Sequence, residues 1–463
     1  MRNKHLVLLL AGATLTLGAC SSDDDVLSGS NASGNDSEIS EKTDARQVVG
    51  SVFKTVTVNI VTPAATLVSV YADQDCKEPL VTEYYAATDG LNEIKMQSSS
   101  DTKSVYVVYS SNGKKTVKSV SLDNNDKGEI RLPDNVQTYT TNFVEGTAYH
   151  SSGVVMFDST WPYGKDGKDA FQYGCDFNDV VVDYDMESVV LNPSLSDFAA
   201  KDYKEGLKVT MHIRAVGSKS PEQIGLKLEG LDRKFIESSD CTIKLSGNDH
   251  QAEKDIPAGS LGVKIGYDGN CPVIYITNLQ WLTSKDNTLN IAGAKYYNTE
   301  RPSKEQWLED GKDLINHGAP LFTVTVNFKG KLRSTMTDYK AADAQVAAYV
   351  NAVTNTASQN FFIVLGNGKE IHVAGYAPLD SYKRSYNTEV NRRGKLSKDV
   401  TYMSTDFGVW GVKVPVLTKH IYEGESFADT YKELKAWAES YGKQYTDWYL
   451  TQKADDTNLV KWW

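Results

Sequence analysis

Over residues 207–215, Leu207, Val209, Met211, Ile213 and Ala215 alternate with Lys208, Thr210, His212 and Arg214. Successive side chains of an extended strand point to opposite faces, so this segment can bury one face of a sheet while wetting the other. A helix would scatter the same apolar residues around its whole circumference. The alternation recurs in Val56, Val58 and Ile60 against Thr55, Thr57 and Asn59, and in "LFTVTVNF". Two further runs, "SVYVVYSSNGKKTVKSVSL" and "FFIVLGNGKEIHV", are each broken by Asn-Gly, at Asn112-Gly113 and Asn367-Gly368. That dipeptide tolerates the left-handed backbone of a tight hairpin. The expected fold class is therefore all-β, antiparallel β-sandwich domains with a few helices, with residues 48–135 a small N-terminal sandwich and residues 136–463 a second β-rich domain.

Helical periodicity is confined to "SKEQWLEDGKDLIN", "AADAQVAAYVNAV" and "SFADTYKELKAWAESYG". In the last, Ser426 and Asp429 form a capping-box pattern and Phe427, Tyr431, Leu434, Trp437 and Tyr441 share a stripe, with Gly442 placed to end the helix. This predicts one C-terminal helix packed on the sheet, its aromatic stripe a packing face. His212 lies on a polar strand face and His372 among apolar residues; neither has a histidine or carboxylate at ligand spacing, and both read as structural or surface residues.

The first 25 residues, "MRNKHLVLLLAGATLTLGACSSDDD", contain a positive start, a short apolar stretch and Leu17-Gly18-Ala19-Cys20. The apolar stretch is too short to span a bilayer and reads as a secretory signal over residues 1–19. Leu17–Cys20 resembles the lipobox of bacterial lipoproteins, which makes Cys20 the expected lipid anchor to an outer membrane. Ser21, Ser22, Asp23, Asp24 and Asp25 resemble the acidic signal that exports some lipoproteins to the cell surface. Residues 20–47, poor in apolar side chains, are expected to be a disordered acidic tether. A formal charge of −11 and the lack of a Lys/Arg stripe argue against nucleic-acid binding. Cys76, Cys175, Cys241 and Cys271 have no C-x-x-C spacing, and their pairing is open.

The most chemically loaded stretch is "VVMFDSTWPYGKDGKDAFQYGCDFNDVVVDYDME". Asp176, Asn178, Asp179, Asp183 and Asp185 fall within ten residues, and Asp158 ends the preceding apolar strand. Calcium takes six to eight hard oxygen ligands, and carboxylates brought together beside buried strands repel one another unless a cation neutralises them. The EF-hand template fails, because Val180 stands where an oxygen ligand is needed, so a site would have to be assembled from separate strand ends. Asp166 and Asp169 read as ordinary turn residues. The competing account of the acidic turn is an Asx network that satisfies its own backbone.

This stretch resembles the signature of the LruC-domain family, and "EIHVAGYAP", "FGVWGVKVP" and the C-terminal aromatic segment resemble that family's end. The core is also similar to repeats of calcium-dependent adhesins. The resemblance implies a surface-anchored β-rich lipoprotein and carries an acidic core onto Asp158, Asp176, Asn178, Asp179 and Asp183. The chain departs from the pattern with Asp at 158 in place of Glu, Ser159 in place of Asp, and Gly174-Cys175 in place of Asp and an aromatic.

The expected function is a non-enzymatic, calcium-stabilised surface binding or adhesion module whose ligand is a glycan or a cell-surface protein. The alternatives are a glycan-processing hydrolase, for which Asp158 and Asp176 would be the carboxylate pair, and a self-associating envelope protein with an exposed β-edge. G-x-S-x-G and H-E-x-x-H are both absent from the sequence. Trp161 reads as a packing residue beside the acidic turn.

Overall fold

The computed structural model describes residues 52–88, 92–139, 146–163, 175–191, 204–218, 220–245, 254–255, 261–283, 299, 322–336, 339–416 and 418–460. The signal sequence with Cys20, the tether, Asp166, Asp169 and the expected helix at "SKEQWLEDGKDLIN" lie outside them. The first part of the chain supplies β1 (Phe53–Val61), β2 (Thr66–Tyr71), β3 (Pro79–Ala86), β4 (Glu93–Ser99), β5 (Ser104–Ser111), β6 (Lys114–Ser121) and β7 (Lys127–Arg131). Next come β8 (Gly146–Phe157), β9 (Val180–Leu191), β10 (Gly206–Ala215), β11 (Pro221–Leu228), β12 (Ile236–Leu245), β13 (Lys254–Asp255), β14 (Gly262–Asp268) and β15 (Cys271–Thr277). The remaining strands are β16 (Phe322–Gly330), β17 (Gln359–Leu365), β18 (Glu370–His372) and β19 (Gly411–Val414).

These strands form three sheets. A ten-stranded sheet runs β13-β12-β16-β10-β9-β8-β4-β1-β7, with β19 also paired to β8; a five-stranded sheet runs β14-β15-β11-β17-β18; a four-stranded sheet runs β3-β2-β5-β6. The β5–β6 hairpin turns at Asn112-Gly113, both with positive φ, as the sequence predicts. Two pairings depart from the antiparallel expectation, β1 with β7 and β4 with β8, which are parallel. Through the second of these, strands from 53–131 join one sheet with strands from the later region.

The long sheet uses its two faces differently along its length. Val56, Val58, Ile60, Ile94, Met96 and Ala148 share one face and form a core with Val68, Val70, Leu80 and Val107 of the four-stranded sheet. On the opposite face, Leu207, Val209, Met211 and Ile213 pack with Val324, Val326, Ile224, Leu226, Phe361 and Ile363 in a second core, against the five-stranded sheet. Helix α1 (Tyr339–Thr354) contributes Tyr349, Ala352 and Val353 to that core, and α2 (Asp380–Arg393) contributes Tyr382, Tyr386 and Val390. The alternation in β10 thus becomes a dry face and a wet face of one sheet.

The C-terminal stripe is buried but does not form one helix. It breaks into α3 (Phe427–Thr430) and α4 (Leu434–Glu439), separated where Tyr431 leaves helical geometry with ψ 77°. Ser426 Oγ accepts from the Asp429 N–H as the capping pattern requires, and Gly442 is left-handed. Phe427, Tyr431, Leu434 and Trp437 are buried against Trp448, while Tyr441 is exposed. Packing of the rings around Trp448 overrides helix propensity here.

One glycine is fixed by packing. A Cβ on Gly225 of β11 would lie 2.1 Å from the Phe362 ring of the neighbouring strand β17. Gly225→Ala is therefore expected to destabilise the fold by about 1–3 kcal/mol, the usual cost of overpacking, measured by denaturant unfolding. A neutral result would mean that Phe362 can move aside.

Candidate acidic site

The acidic turn lies between β8, β9 and the C-terminal segment. Phe177 takes φ 50°, a strained conformation for a bulky side chain, and its ring is buried edge-on against Phe427 with centroids 4.9 Å apart. The Phe427 N–H donates to the Cys175 carbonyl at 3.0 Å, and Asn178 Nδ2 donates to the Ile421 carbonyl at 3.1 Å. On the other side, the Gly217 N–H donates to the carbonyls of Asn178 (3.1 Å) and Asp179 (3.2 Å). A Cβ at Gly217 would stand 2.8 Å from Asn178 Oδ1, so the glycine allows this approach. Asn178 is fully buried, and its Oδ1 has no hydrogen-bond partner.

Three of the expected carboxylates are buried here: Asp158 is 3% exposed, Asp176 7% and Asp179 9%. Asp158 Oδ1 accepts from the Thr160 N–H at 2.8 Å and from its hydroxyl, and burial together with the Asp158 charge pushes the Cys175 thiol up. Asp179 Oδ2 accepts from the Ser159 N–H at 2.5 Å, and Asp176 Oδ2 from the Gly424 N–H at 3.3 Å. Burial, reinforced by the charges of Asp158 and Asp176, pushes the Asp179 carboxyl up to about 8. A raised carboxyl of this kind favours its protonated form, which lessens the repulsion among the three. Among the described residues, no three carboxylate, imidazole or thiol groups converge as they stand into a set that could hold a metal ion.

Asp183 and Asp185 do not join this cluster. Asp183 faces across β10 to Arg214, whose Nε donates to Oδ2 at 3.1 Å and whose Nη2 donates to Oδ1, while Nη1 donates to the Thr418 carbonyl at 3.0 Å. Arg214 is 2% exposed, so this carboxylate neutralises a buried guanidinium. Asp185 lies further along the same face, where burial and Glu187 raise its carboxyl to about 7 against the pull of Lys208.

Trp161 is 2% exposed and stacks on Tyr386 at 5.7 Å, which makes it a packing residue as expected. His212 is half-buried, its Nδ1 3.0 Å from Thr323 Oγ1. His372 is fully buried, but contrary to the sequence reading it does have a carboxylate: Glu370 Oε2 lies 3.3 Å from Nε2, and Asn360 Oδ1 lies 2.7 Å from Nδ1. Two residues apart on a short strand, Glu370 and His372 share a face, a signal present in "KEIHV". Burial raises Glu370 to about 7 and lowers His372 to about 3, so the imidazole is uncharged at physiological pH and the pair is a hydrogen-bonded core element. Cys76, Cys175, Cys241 and Cys271 are all free thiols.

Lys413 is a buried cation that the sequence reading missed. Only 2% exposed on β19, it points among Phe53, Tyr184 and Phe361, with Nζ donating to Gln359 Oε1 at 2.5 Å. Burial holds its pKa well below the usual lysine value. The run "GVKVP" could have revealed it, since Lys413 sits between two valines on a short strand whose neighbours are all buried.

The two roles of the aspartates separate experimentally. Asp183→Ala leaves Arg214 buried without its carboxylate and is expected to cost about 3–5 kcal/mol, equally in calcium and in chelator. Restoration of most of that loss in an Asp183→Ala/Arg214→Met double variant, followed by denaturant unfolding, would confirm the ion pair; a loss seen only in calcium would return Asp183 to the acidic cluster.

A family profile described as a domain of unknown function, DUF4842, matches residues 205–449. None of the curated proteins compared matches the chain. A crystal structure of a candidate lipoprotein from Bacteroides ovatus is similar over 86% of this chain and 100% of that one, with 26% identity and a TM-score of 0.63. Major pilin subunits of Bacillus cereus (9% identity, 69% of this chain and 66% of that one, TM-score 0.17) and Corynebacterium diphtheriae (10% identity, 60% and 58%, TM-score 0.15) are too distant in shape to inform the fold. With its matched segment running from the start of β10 through α4 to Tyr449, the chain belongs to the DUF4842 family.

Proposed function

We propose that this protein is a non-catalytic, lipid-anchored binding module of the cell envelope, displayed at the outer surface, whose β-rich body is stabilised by calcium. The anchor reading rests on the lipobox ending at Cys20 and on the likeness to a candidate lipoprotein over that protein's whole length. Among the described residues, no helix is long and apolar enough to cross a membrane. The LruC-like pattern around the acidic turn supports the finer assignment to calcium-dependent surface adhesion.

The observation that carries calcium is the juxtaposition of three buried carboxylates with a buried amide oxygen that has no partner. Asp158, Asp176, Asp179 and Asn178 Oδ1 are all hard oxygen donors, the chemistry calcium selects. A bound calcium ion would supply the positive charge that the proton on Asp179 otherwise supplies. The chain's own part is to bury these carboxylates beside Asn178 through Phe177, Gly217 and the C-terminal segment, and binding would have to draw their oxygens together.

The sign of the pH dependence follows from Asp179. Its folded pKa of about 8 is raised above the ordinary 3.8, so in chelator its contribution is fully present below about pH 4 and is lost as pH rises through 8. Saturating calcium should remove that loss and, at a hundredfold excess over its dissociation constant, add about 2.7 kcal/mol. Thermal unfolding of the purified protein from pH 4 to 9, with millimolar calcium or chelator, reads both effects. Asp176→Ala/Asp179→Ala should abolish the calcium shift; equal curves with and without calcium in the unsubstituted protein would sink the calcium reading and leave a proton-held Asx network.

A further inference from the structure

The wet face of the long sheet is not uniformly open. The four-stranded sheet covers it only as far as its edge strand β3, and beyond that edge lies a groove of about 660 Å³. Thr82, Glu83, Tyr84 and Tyr85 of β3 line one side; His150, Glu187, Lys208 and Asn327, from four adjacent strands of the long sheet, line the floor. The volume lies within the range of small-ligand sites. An uncovered sheet face is ordinarily just solvated, and most of these side chains would suit that role.

His150 does not fit a merely solvated face. It is 3% exposed, and among the described residues its Nδ1 has no hydrogen-bond partner, Glu187 Oε2 lying 4.0 Å away. Burial lowers its pKa to about 4, so near neutral pH the ring is uncharged and offers one donor and one acceptor. A buried polar atom without a partner is costly; as the ring stands Nδ1 is shut off from the groove, and a ligand hydroxyl would satisfy it by drawing the ring toward the floor surface.

The charges of the groove indicate what that ligand is. Lys208 is already paired with Glu187 at 3.0 Å, Lys329 with Asp240 at 3.8 Å, and Lys204 with Glu237 at 2.5 Å. Asn327 Nδ2 also donates to Asp240 Oδ1 at 2.8 Å. An anionic ligand would meet the carboxylate of each pair and a cationic one the ammonium. A hydroxyl, which both donates and accepts, can use the two members of a pair together. Tyr85, half-buried on β3, adds apolar surface to the same groove, suited to the C–H face of a sugar ring.

We propose that this groove is a binding site for a neutral saccharide, held by the Lys208–Glu187 pair, Asn327 and His150 on the floor and by Tyr85 on the β3 side. The inference rests on the reading of the protein as a binding module and is independent of the calcium site. Titration calorimetry on the full soluble protein, in calcium and in chelator, would use neutral gluco-, manno-, galacto- and xylo-hexaoses, with oligogalacturonate and heparin fragments as charged probes. At least one neutral hexaose should bind, and Tyr85→Ala and Asn327→Ala, both at surface positions that should leave the unfolding temperature unchanged, should each weaken it at least tenfold. The His150 imidazole ¹⁵N resonances should shift on saturation, whereas Tyr441→Ala, outside the groove, should leave binding intact. Binding of charged probes only, binding insensitive to both groove variants, or no binding to any probe would overturn the assignment. In the last case, a persisting calcium-dependent stabilisation would show that only the groove proposal had failed.

Discussion

The pairing of β8 with β9 is the interaction on which the rest of the molecule depends. It runs without a break from Gly146↔Leu191 to Phe157↔Val180, so two twelve-residue strands are locked in one register. The other edge of β8 is shared, with β4 taking Ala148–His150 and β19 taking Val154–Phe157. In the interval between them, Ser151 Oγ accepts from Gln359 Nε2, and Gln359 also holds Lys413. One strand therefore contributes Ala148 to the first core and Val155 and Phe157 to the second. Because the side-chain period is two, a one-residue slip of β8 would turn both cores inside out at once.

The same register places the polar groups. His150 faces Glu187, Ser152 faces Asp185, and Val154 faces Asp183 across the pair, so alternate positions of β9 line up a row of acids on the wet face. Each acid is handled differently because its surroundings differ along the strand. Asp183, next to the C-terminal segment, is matched by a buried arginine; Asp185 is partly neutralised by its raised pKa; Glu187, at the groove, is matched by Lys208. Where β9 begins, the backbone turns at Phe177 and the carboxylates leave the sheet altogether, and there the N–H groups of Ser159, Thr160 and Gly424 donate to Asp179, Asp158 and Asp176.

The alternating runs made the strands legible in the sequence, down to the Asn112-Gly113 hairpin and the buried faces of β1, β10 and β16, because burial of one face is a local, period-two property. The sharing of one sheet between the N-terminal and later strands was not legible, since β4 and β8 are joined by a parallel pairing between segments about 50 residues apart, and such a pairing leaves no local mark. The acidic turn was recognisable as a cluster, but membership was not. Asp183 is four residues from Asp179 in sequence, and only the placement of Arg214 on the neighbouring strand removes it. The C-terminal stripe was read correctly as a packing face and incorrectly as one helix, because the i, i+3, i+4 pattern fixes which side chains are buried and leaves Trp448 to decide the path of the backbone between them.

These distinctions bear on how a binding surface can be built on such a scaffold. The two cores lie on opposite faces and at different stretches of the long sheet, so among the described residues part of each face has no third layer. On the face that β3 leaves uncovered, the sequence cannot place hydrophobic side chains without exposing them, and it places paired charges instead. Paired charges around a buried imidazole match a ligand whose hydroxyls both donate and accept, because the two members of a pair can be used together. The acidic turn does the opposite: it brings three carboxylates into a buried place, where the pKa of Asp179 is raised. A single sheet register thus places two polar clusters of different character, paired charges along the groove and three buried carboxylates at the acidic turn.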